Sequence, residues 1–486
     1  MKATSSSTDL NIDWLFIGGA RVSPRSAERI TVTSPNTSAV IGSVPHSGVE
    51  DVDAAVGAAR AAFDDPEGWT KWAPARRARA MRRFADSIER RVPEFARRIS
   101  SQNGMPLTTA LATDGRTPVD VLRLFADFAD QLVDDEERRS FTGGRTVVRR
   151  LPLGVVGAIV PWNFPQTLAV FKYAPALAVG CTVVLKPSPE TVLDAALLAE
   201  AAEEADLPAG VFNIVPGGPE TGKHLVSHPD VDKIAFTGST EAGRSIGEAC
   251  GRLMRPVTLE LGGKSAAIVL DDADLAEAAG DGRLAKATMG NNGQTCHLST
   301  RVLLPRSRYD EMVDVFAELA GSLVVGDSLD PATQVGPMVT SRHRDRVESY
   351  IAMGHAEGAR LVAGGARPDR RGWFVRPTVF ADVSNASTIA REEIFGPVLS
   401  LIPYDGVEEA VRIANDSRYG LAGTVWTSDP ERGLDVAKQI VTGGVGLNGF
   451  RPDPASPLGG TKDSGLGSEM GPESMAHYQR FQSIYL

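Results

Sequence analysis

From residue 153 onward the chain alternates short β-branched runs with helical stretches, and this restricts the fold more than any other feature. The runs are Val155–Val160, Thr182–Leu185, Val211–Val215 and Lys233–Phe236, then Ala266–Leu270. Helical segments separate most of them, for example Leu193–Ala205, opened by Thr191 and closed by Leu207-Pro208. Strand and helix alternating at this spacing predict parallel βαβ units in a doubly wound α/β sheet. A further α/β region is expected from about residue 265 to 450. The chain has 486 residues, enough for about three domains of roughly 150 residues each.

The first third reads as helical. Val49, Val52, Val56, Ala59 and Phe63 recur at helical spacing after a turn at Ser47-Gly48. A second amphipathic stretch, Ala75 to Ile99, carries Arg76, Arg79, Arg83 and Arg90 on one face. Pro93 must break or kink it, because proline lacks the amide proton that a helix interior uses. The arginines are read as a solvated outer face, not an anion-binding stripe. Residues 140–150 predict a hairpin around Gly143-Gly144, and Tyr478 to Leu486 alternate like an edge strand. Both have few apolar contacts of their own, which points to a subunit partner.

Composition removes several function classes. Hydrophobic residues make up 42% and charged residues 23% of the chain, an ordinary globular balance. The net charge of −10 argues against nucleic acid as a partner. Three cysteines without a CxxC exclude a disulfide framework, a thiolate zinc site and a thioredoxin-type pair. The start, MKATSSSTDLNID, has no apolar core and is not read as a secretory signal. The most apolar run, Tyr173 to Leu185, is too short to span a bilayer. A soluble cytoplasmic enzyme is therefore expected, with no membrane partner.

Among the thiols, Cys181 and Cys250 read as small buried hydrophobes. Cys296 ends Gly290-Asn-Asn-Gly-Gln-Thr-Cys, a glycine- and amide-rich loop suited to a partly exposed nucleophile with free backbone amides around it. The adjacent His297 is not taken as its base, because neighbouring side chains rarely face each other. Thr258-Leu-Glu-Leu-Gly-Gly-Lys264 places Glu260 between two leucines. Burial there would raise its pKa into the range of a general base, while a salt bridge to Lys264 or another cation is the competing reading.

Three further segments follow apolar strands, where open α/β sheets bind ligands. Pro161-Trp-Asn-Phe-Pro165 offers Asn163 as an uncharged oxyanion donor. Leu185-Lys-Pro-Ser-Pro189 offers Lys186 to a ribose or phosphate. Phe236-Thr-Gly-Ser239 feeds a helix over Thr240–Ala249, whose free N–H groups suit a pyrophosphate. Gly444-Val-Gly-Leu-Asn-Gly449 fits GxGxxG, but Arg-Pro-Asp-Pro follows it and cannot open a helix. His224 and His228 lie four apart on a predicted helix. With no third ligand motif they are read as solvent-facing, and no metal site is expected.

Taken together, PWNFP, LKPS, FTGS, LELGGK, GQTC, Glu392-Glu-Ile-Phe-Gly-Pro397 and Pro457-Leu-Gly-Gly-Thr-Lys-Asp-Ser-Gly465 resemble the aldehyde dehydrogenase superfamily in content and order. The resemblance implies a Rossmann-like cofactor domain (1–130 and 151–256), an α/β catalytic domain (257–460) and a small β oligomerisation arm (131–150 and 470–486) in a homodimer or homotetramer. It implies Cys296 as nucleophile, Asn163 and the Cys296 amide as oxyanion donors, and Glu260 as the base that activates water. Lys186 is included with these and also contacts the adenosine ribose. NAD would lie along Trp162, Ser188, Pro189, Gly218, Gly222, Phe236, Thr237, Gly238, Ser239 and Leu261, with Glu393 and Phe395 at the nicotinamide ribose.

Family members that prefer NAD often carry glutamate where Pro189 stands, with Glu190 here beside it, so NADP stays open. Phe164, Phe171 and Leu458 match the aldehyde tunnel, predicting aliphatic, aromatic or terpenoid aldehydes; Arg451 near the same wall would instead favour a carboxylate. His297 is larger than the family's usual small residue. Gly467-Ser-Glu-Met replaces a usual Gly-Arg-Glu and is expected to touch no chemical step. The expected activity is NAD(P)-dependent oxidation of an aldehyde to a carboxylic acid. The alternatives are CoA acylation, which the family runs without a glutamate at position 260, and an inactive structural protein, which should have lost Cys296, Glu260 or Asn163.

Overall fold

The computed structural model describes residues 10–486; the leader expectation for MKATSSSTD lies outside them. An eight-stranded sheet forms the first layer. Its five central strands are parallel, in the spatial order Val257–Glu260, Lys233–Thr237, Val155–Ile159, Thr182–Lys186 and Phe212–Ile214. Antiparallel strands Gly465–Leu466 and Leu15–Ile17 flank this centre, and Ala20–Val22 closes the far edge. Chain order reverses beside Val155–Ile159: later strands add on one side, then on the other. That reversal is the switch point at which such sheets bind ligands.

The sheet is covered on both faces, and its strands show why continuous β-branched runs were needed. Val156, Val183 and Leu185 pack into one core with Phe84, Phe125 and Tyr173. Their neighbours Val155, Val184 and Ile234 pack into another with Val52, Val56 and Leu225. Successive side chains point to opposite faces, so a sheet buried on both sides requires apolar residues at every position.

The run Ala266–Leu270 does not join this sheet. It forms the strand Ala266–Val269 at the centre of a second, seven-stranded sheet, between Arg301–Pro305 and Ala422–Trp426. The segment after Glu260 carries the chain from one sheet to the other. Gly444–Leu447 is the edge strand of this second sheet and opens no helix, so the literal GxGxxG match has no nucleotide-binding context.

Pro93 sits in the first turn of the helix Val92–Asn103, separating it from Pro74–Glu89. Arg76, Arg79, Arg83 and Arg90 are exposed as read. The hairpin Asp135–Arg139 and Arg145–Pro152 forms, and Gln479–Tyr485 adds to it as a third strand. Cys181 and Cys250 are fully buried. Among the described residues, no helix is long and apolar enough to cross a membrane.

Candidate active site

A groove of about 950 Å³ runs along the carboxyl ends of the first sheet's strands and ends at Cys296. This lies at the upper end of the roughly 300–1,000 Å³ typical of ligand pockets. The loops after Val155–Ile159 and Lys233–Thr237, the two strands at the switch point, supply Trp162, Asn163, Gly238 and Ser239. Strand geometry thus gathers segments that stand up to 77 residues apart in the chain.

Cys296 is half-buried at the groove floor. Asn292 fixes its loop: the side chain donates to the carbonyls of Gly104 at 2.8 Å and Pro337 at 3.1 Å, and accepts the Gly336 amide at 2.6 Å. The Asn163 amide donates one N–H to the Gln294 carbonyl at 3.1 Å. An amide has two such hydrogens, so the tether orients the group and leaves the second free. Desolvation, then the nearby carboxyls of Glu393 and Glu260, push the Cys296 thiol up to about 12. At neutral pH the thiol is therefore held protonated.

Glu260 ends the strand Val257–Glu260 and is buried, and its Oε1 has no hydrogen-bond partner. Lys264 Nζ is likewise buried and unpartnered. The competing salt bridge between them is therefore absent. Burial and the Glu469 carboxylate raise the Glu260 pKa well above the usual range, against an opposing pull from Lys172. An ionisable group kept buried, unpaired and shifted is a mark of a functional site.

The two glycines after Glu260 have packing reasons. A Cβ at Gly262 would lie 2.3 Å from Glu393 Oε2, and one at Gly263 would lie 2.5 Å from the Cys296 carbonyl. One glycine admits Glu393 and the other admits the thiol loop. Gly263 also donates its amide to Glu393 Oε1 at 3.1 Å, while burial raises that carboxyl to about 7.

Three residues escaped sequence reasoning. Lys172 Nζ donates to Glu469 Oε1 at 2.5 Å and to Thr237 Oγ1 at 2.6 Å, all buried. The available signal was a single lysine inside an apolar helix. Glu469 stands in Gly467-Ser-Glu-Met, where serine replaces the family's arginine and the glutamate is kept, and its charge bears on Glu260. His343, in the groove wall, donates its Nε2 proton to the Phe395 carbonyl at 2.7 Å and sits edge-on to Trp162. Phe395 holds φ +61°, a strained value for a large side chain, next to this contact.

The remainder of the groove fits a dinucleotide. Helices Pro219–Ser227 and Thr240–Arg252 both open toward it, at Gly218 and Ser239, with their free amides and positive dipole ends. Val226, Ile246 and Ala249 form an apolar slot between those helices. Lys186, Ser188, Pro189, Glu190 and Gly222 stand together at one end, with Phe236, Thr237 and Leu261 farther along and Glu393 and Phe395 in the wall that also holds Cys296. Lys186 Nζ donates to the Pro187 carbonyl at 2.8 Å; burial lowers its pKa to about 8 against the pull of Glu190. Ser188 donates to Glu190 at 2.5 Å. Lys186 thus has Glu190 and Gly222 as its neighbours, and no hydrogen bond joins it to Cys296 or Glu260.

Phe164, Phe171 and Leu458 are half-buried and lie outside this groove. Phe164 and Phe171 pack against the first core. His297 does not turn toward Cys296 chemistry but stacks on Phe450, ring centroids 4.8 Å apart and tilted 32°. Arg451 is exposed.

His224 and His228 do have a third neighbour, contrary to expectation. Asp53 Oδ1 lies 2.6 Å from His224 Nε2 and 3.4 Å from His228 Nε2, and His228 is buried rather than solvent-facing. The His228 Nδ1 accepts the Asp230 amide at 3.1 Å, which puts the ring proton on Nε2, facing Asp53. Hydrogen bonds account for this cluster.

Comparison with known proteins agrees with the geometry. The aldehyde dehydrogenase family model matches residues 22–484. A geranial dehydrogenase of Castellaniella defragrans is 55% identical over 476 residues, covering 97% of this chain and 98% of that one. A Mycobacterium tuberculosis aldehyde dehydrogenase complexed with NAD+ superposes with a TM-score of 0.95 at 47% identity, covering 99% of each chain. Aldehyde dehydrogenase C of Pseudomonas syringae, a mutant complexed with NAD+ and octanal, superposes with a TM-score of 0.93 at 40% identity, covering 97% of this chain and 96% of that one. With the family model spanning nearly the whole chain and Cys296, Asn163 and Glu393 lining one groove, this chain belongs to the aldehyde dehydrogenase family and is an oxidoreductase of aldehydes.

Proposed function

We propose that the chain oxidises apolar aldehydes to carboxylic acids through a thioester on Cys296. The observation that carries this reading is the buried, unpaired Glu260 carboxyl near a protonated Cys296 thiol. NAD, bound along the groove from Lys186 to Glu393, supplies the hydride acceptor. Cys296 Sγ adds to the carbonyl carbon as its proton passes to the ionised Glu260. The free N–H of Asn163 and the Cys296 amide hold the resulting oxyanion. Loss of hydride from that carbon leaves a thioester. Glu260 gives the thiol proton up to solvent and, ionised again, takes a proton from water; hydroxide adds to the thioester, and the thiolate departs with release of the acid. A glutamate at this position favours water over CoA as the acyl acceptor.

The test is Glu260→Gln. A slowed NADH burst is expected, because Glu260 accepts the thiol proton, and turnover should stall after one NADH per active chain, because hydrolysis loses its base. Unaltered steady turnover would exclude Glu260 as the hydrolytic base. Adding CoA to the unmodified chain should leave the product a free acid.

Phe164, Phe171 and Leu458 form the aldehyde-side wall in this reading, and the geranial and octanal relatives support an apolar substrate. Rates with geranial, hexanal and benzaldehyde should exceed that with succinate semialdehyde; the reverse order would place a carboxylate at Arg451. Pro189 removes the carboxylate that would repel a 2′-phosphate, so NADP is accepted alongside NAD.

The cofactor-binding unit takes 10–130 and 151–260, four residues past the expected boundary because Val257–Glu260 is a strand of the first sheet; the catalytic unit takes 261–460, and the arm 131–150 with 470–486. Phe141, Phe481 and Tyr485 on the arm are largely exposed, which supports docking on a second copy in a dimer or tetramer. Three cysteines without a disulfide support a cytoplasmic location.

A further inference from the structure

The helix Pro165–Val179 begins two residues after Asn163 and lacks a cap of its own. Its N-cap residue, Phe164, has no side-chain acceptor, and the first-turn proline has no amide hydrogen. The next two amides are taken by a residue from another element: Asp114 Oδ1 accepts Gln166 N–H at 2.8 Å and Thr167 N–H at 3.2 Å.

Asp114 is fully buried and stands in a five-residue π-helical turn, Leu111–Gly115, before the helix Thr117–Asp130. No cation pairs with it; its remaining partner is the Thr113 hydroxyl at 3.2 Å. A second buried carboxylate, Asp194, accepts the Gln166 side chain at 2.6 Å and Gln102 at 2.9 Å. Burying a carboxylate without a counter-ion is costly, and the backbone amides of this one helix start are what offset it. The neighbouring Gln166 Oε1 and Thr167 Oγ1 are buried without partners and make no bond to these amides.

On the other side, Asn291 donates to the Asn163 carbonyl at 3.1 Å, and Asn103 donates to the Trp162 carbonyl at 3.0 Å. The segment 162–167 is therefore clamped by amides on its carbonyls and by Asp114 on its N–H groups. The side chain at its centre is the oxyanion donor.

We propose that Asp114 is a positioning residue for the oxyanion site, holding Asn163 in place by capping the helix that follows it. The inference rests on the reading of Asn163 as oxyanion donor. Phe164 occupies the place where a serine or aspartate would cap the helix locally, so the cap comes from 50 residues upstream.

The test is a stopped-flow cycle on the NADH burst, using hexanal with Asp114→Ala, Asp114→Asn, Asn163→Ala and both double variants. Asn163→Ala should slow the burst by about 100-fold, the usual cost of removing one oxyanion donor. Asp114→Ala should slow it by about tenfold, with the NAD dissociation constant unchanged. Combined with Asn163→Ala it should add little, because both act on one interaction. Asp114→Asn, which keeps an acceptor oxygen, should fall between wild type and alanine, and it decides the matter if the alanine variant does not fold. A burst within twofold of wild type in the Asp114 variants, or losses that multiply in the doubles, overturns the proposal. An unchanged burst in Asn163→Ala alone would instead overturn the oxyanion assignment.

Discussion

Lys172 Nζ lies 2.5 Å from Glu469 Oε1 in a fully buried ion pair joining residues 297 positions apart. Glu469 raises the Glu260 pKa while Lys172 lowers it, so the pair sets when Glu260 can act as a base. Glu260 must be ionised to take a proton, and its folded pKa is raised. Activity should therefore rise with pH through that pKa.

Replacing Glu469 by glutamine removes the opposing negative charge and leaves Lys172 unneutralised. Both changes favour ionised Glu260. The rising limb of the kcat profile should move to lower pH; a limb that stays put, or moves up, would disconnect the pair from Glu260.

Lys172→Met acts in the opposite sense and at a cost in stability. It leaves Glu469 buried without its partner, which typically destabilises by about 3–5 kcal/mol. Thermal unfolding should show a clear drop in Tm, and the pH limb of the surviving activity should shift upward.

Cys296→Ala should abolish aldehyde oxidation, because no other thiol stands in the groove: Cys181 and Cys250 are buried in the cores. NAD binding, followed by quenching of tryptophan fluorescence, should persist, since Trp162 and the two helix openings are untouched. Substantial residual turnover would reject the thioester route.

Gly263→Ala would place a Cβ 2.5 Å from the Cys296 carbonyl, a contact that backbone must relieve by shifting. We expect a loss of kcat of about 100-fold from misplacement of the thiol loop, with cofactor affinity largely kept. Near-normal kcat would mean that the loop tolerates the shift.

Pro189→Glu should raise the preference for NAD over NADP by tenfold or more. A carboxylate there would accept the ribose 2′-hydroxyl and repel a 2′-phosphate. The ratio of kcat/KM for the two cofactors measures it; an unchanged ratio would assign the discrimination to Glu190, already held by Ser188.

Much of the site was legible because its signals are local. Strand-ending motifs such as PWNFP and FTGS announce themselves through the residues that follow an apolar run, and the glycine- and amide-rich stretch marked Cys296. The Asn163 and Glu260 segments were visible for the same reason. What Gly467-Ser-Glu-Met does, and the partner of His228, were not visible. Each depends on a contact with a segment far away in the chain.

By itself, the sequence determined the strand–helix alternation, the two α/β regions and the glycine- and amide-rich Cys296 loop, because periodicity and turn chemistry act over a few residues. Only the tertiary structure decided that Ala266–Val269 starts a second sheet, that Glu469 answers Lys172, and that Glu260 stays unpaired beside Lys264. Those outcomes turn on burial and on charge at close range. Both are properties of neighbours in space, which the order of residues along the chain does not display.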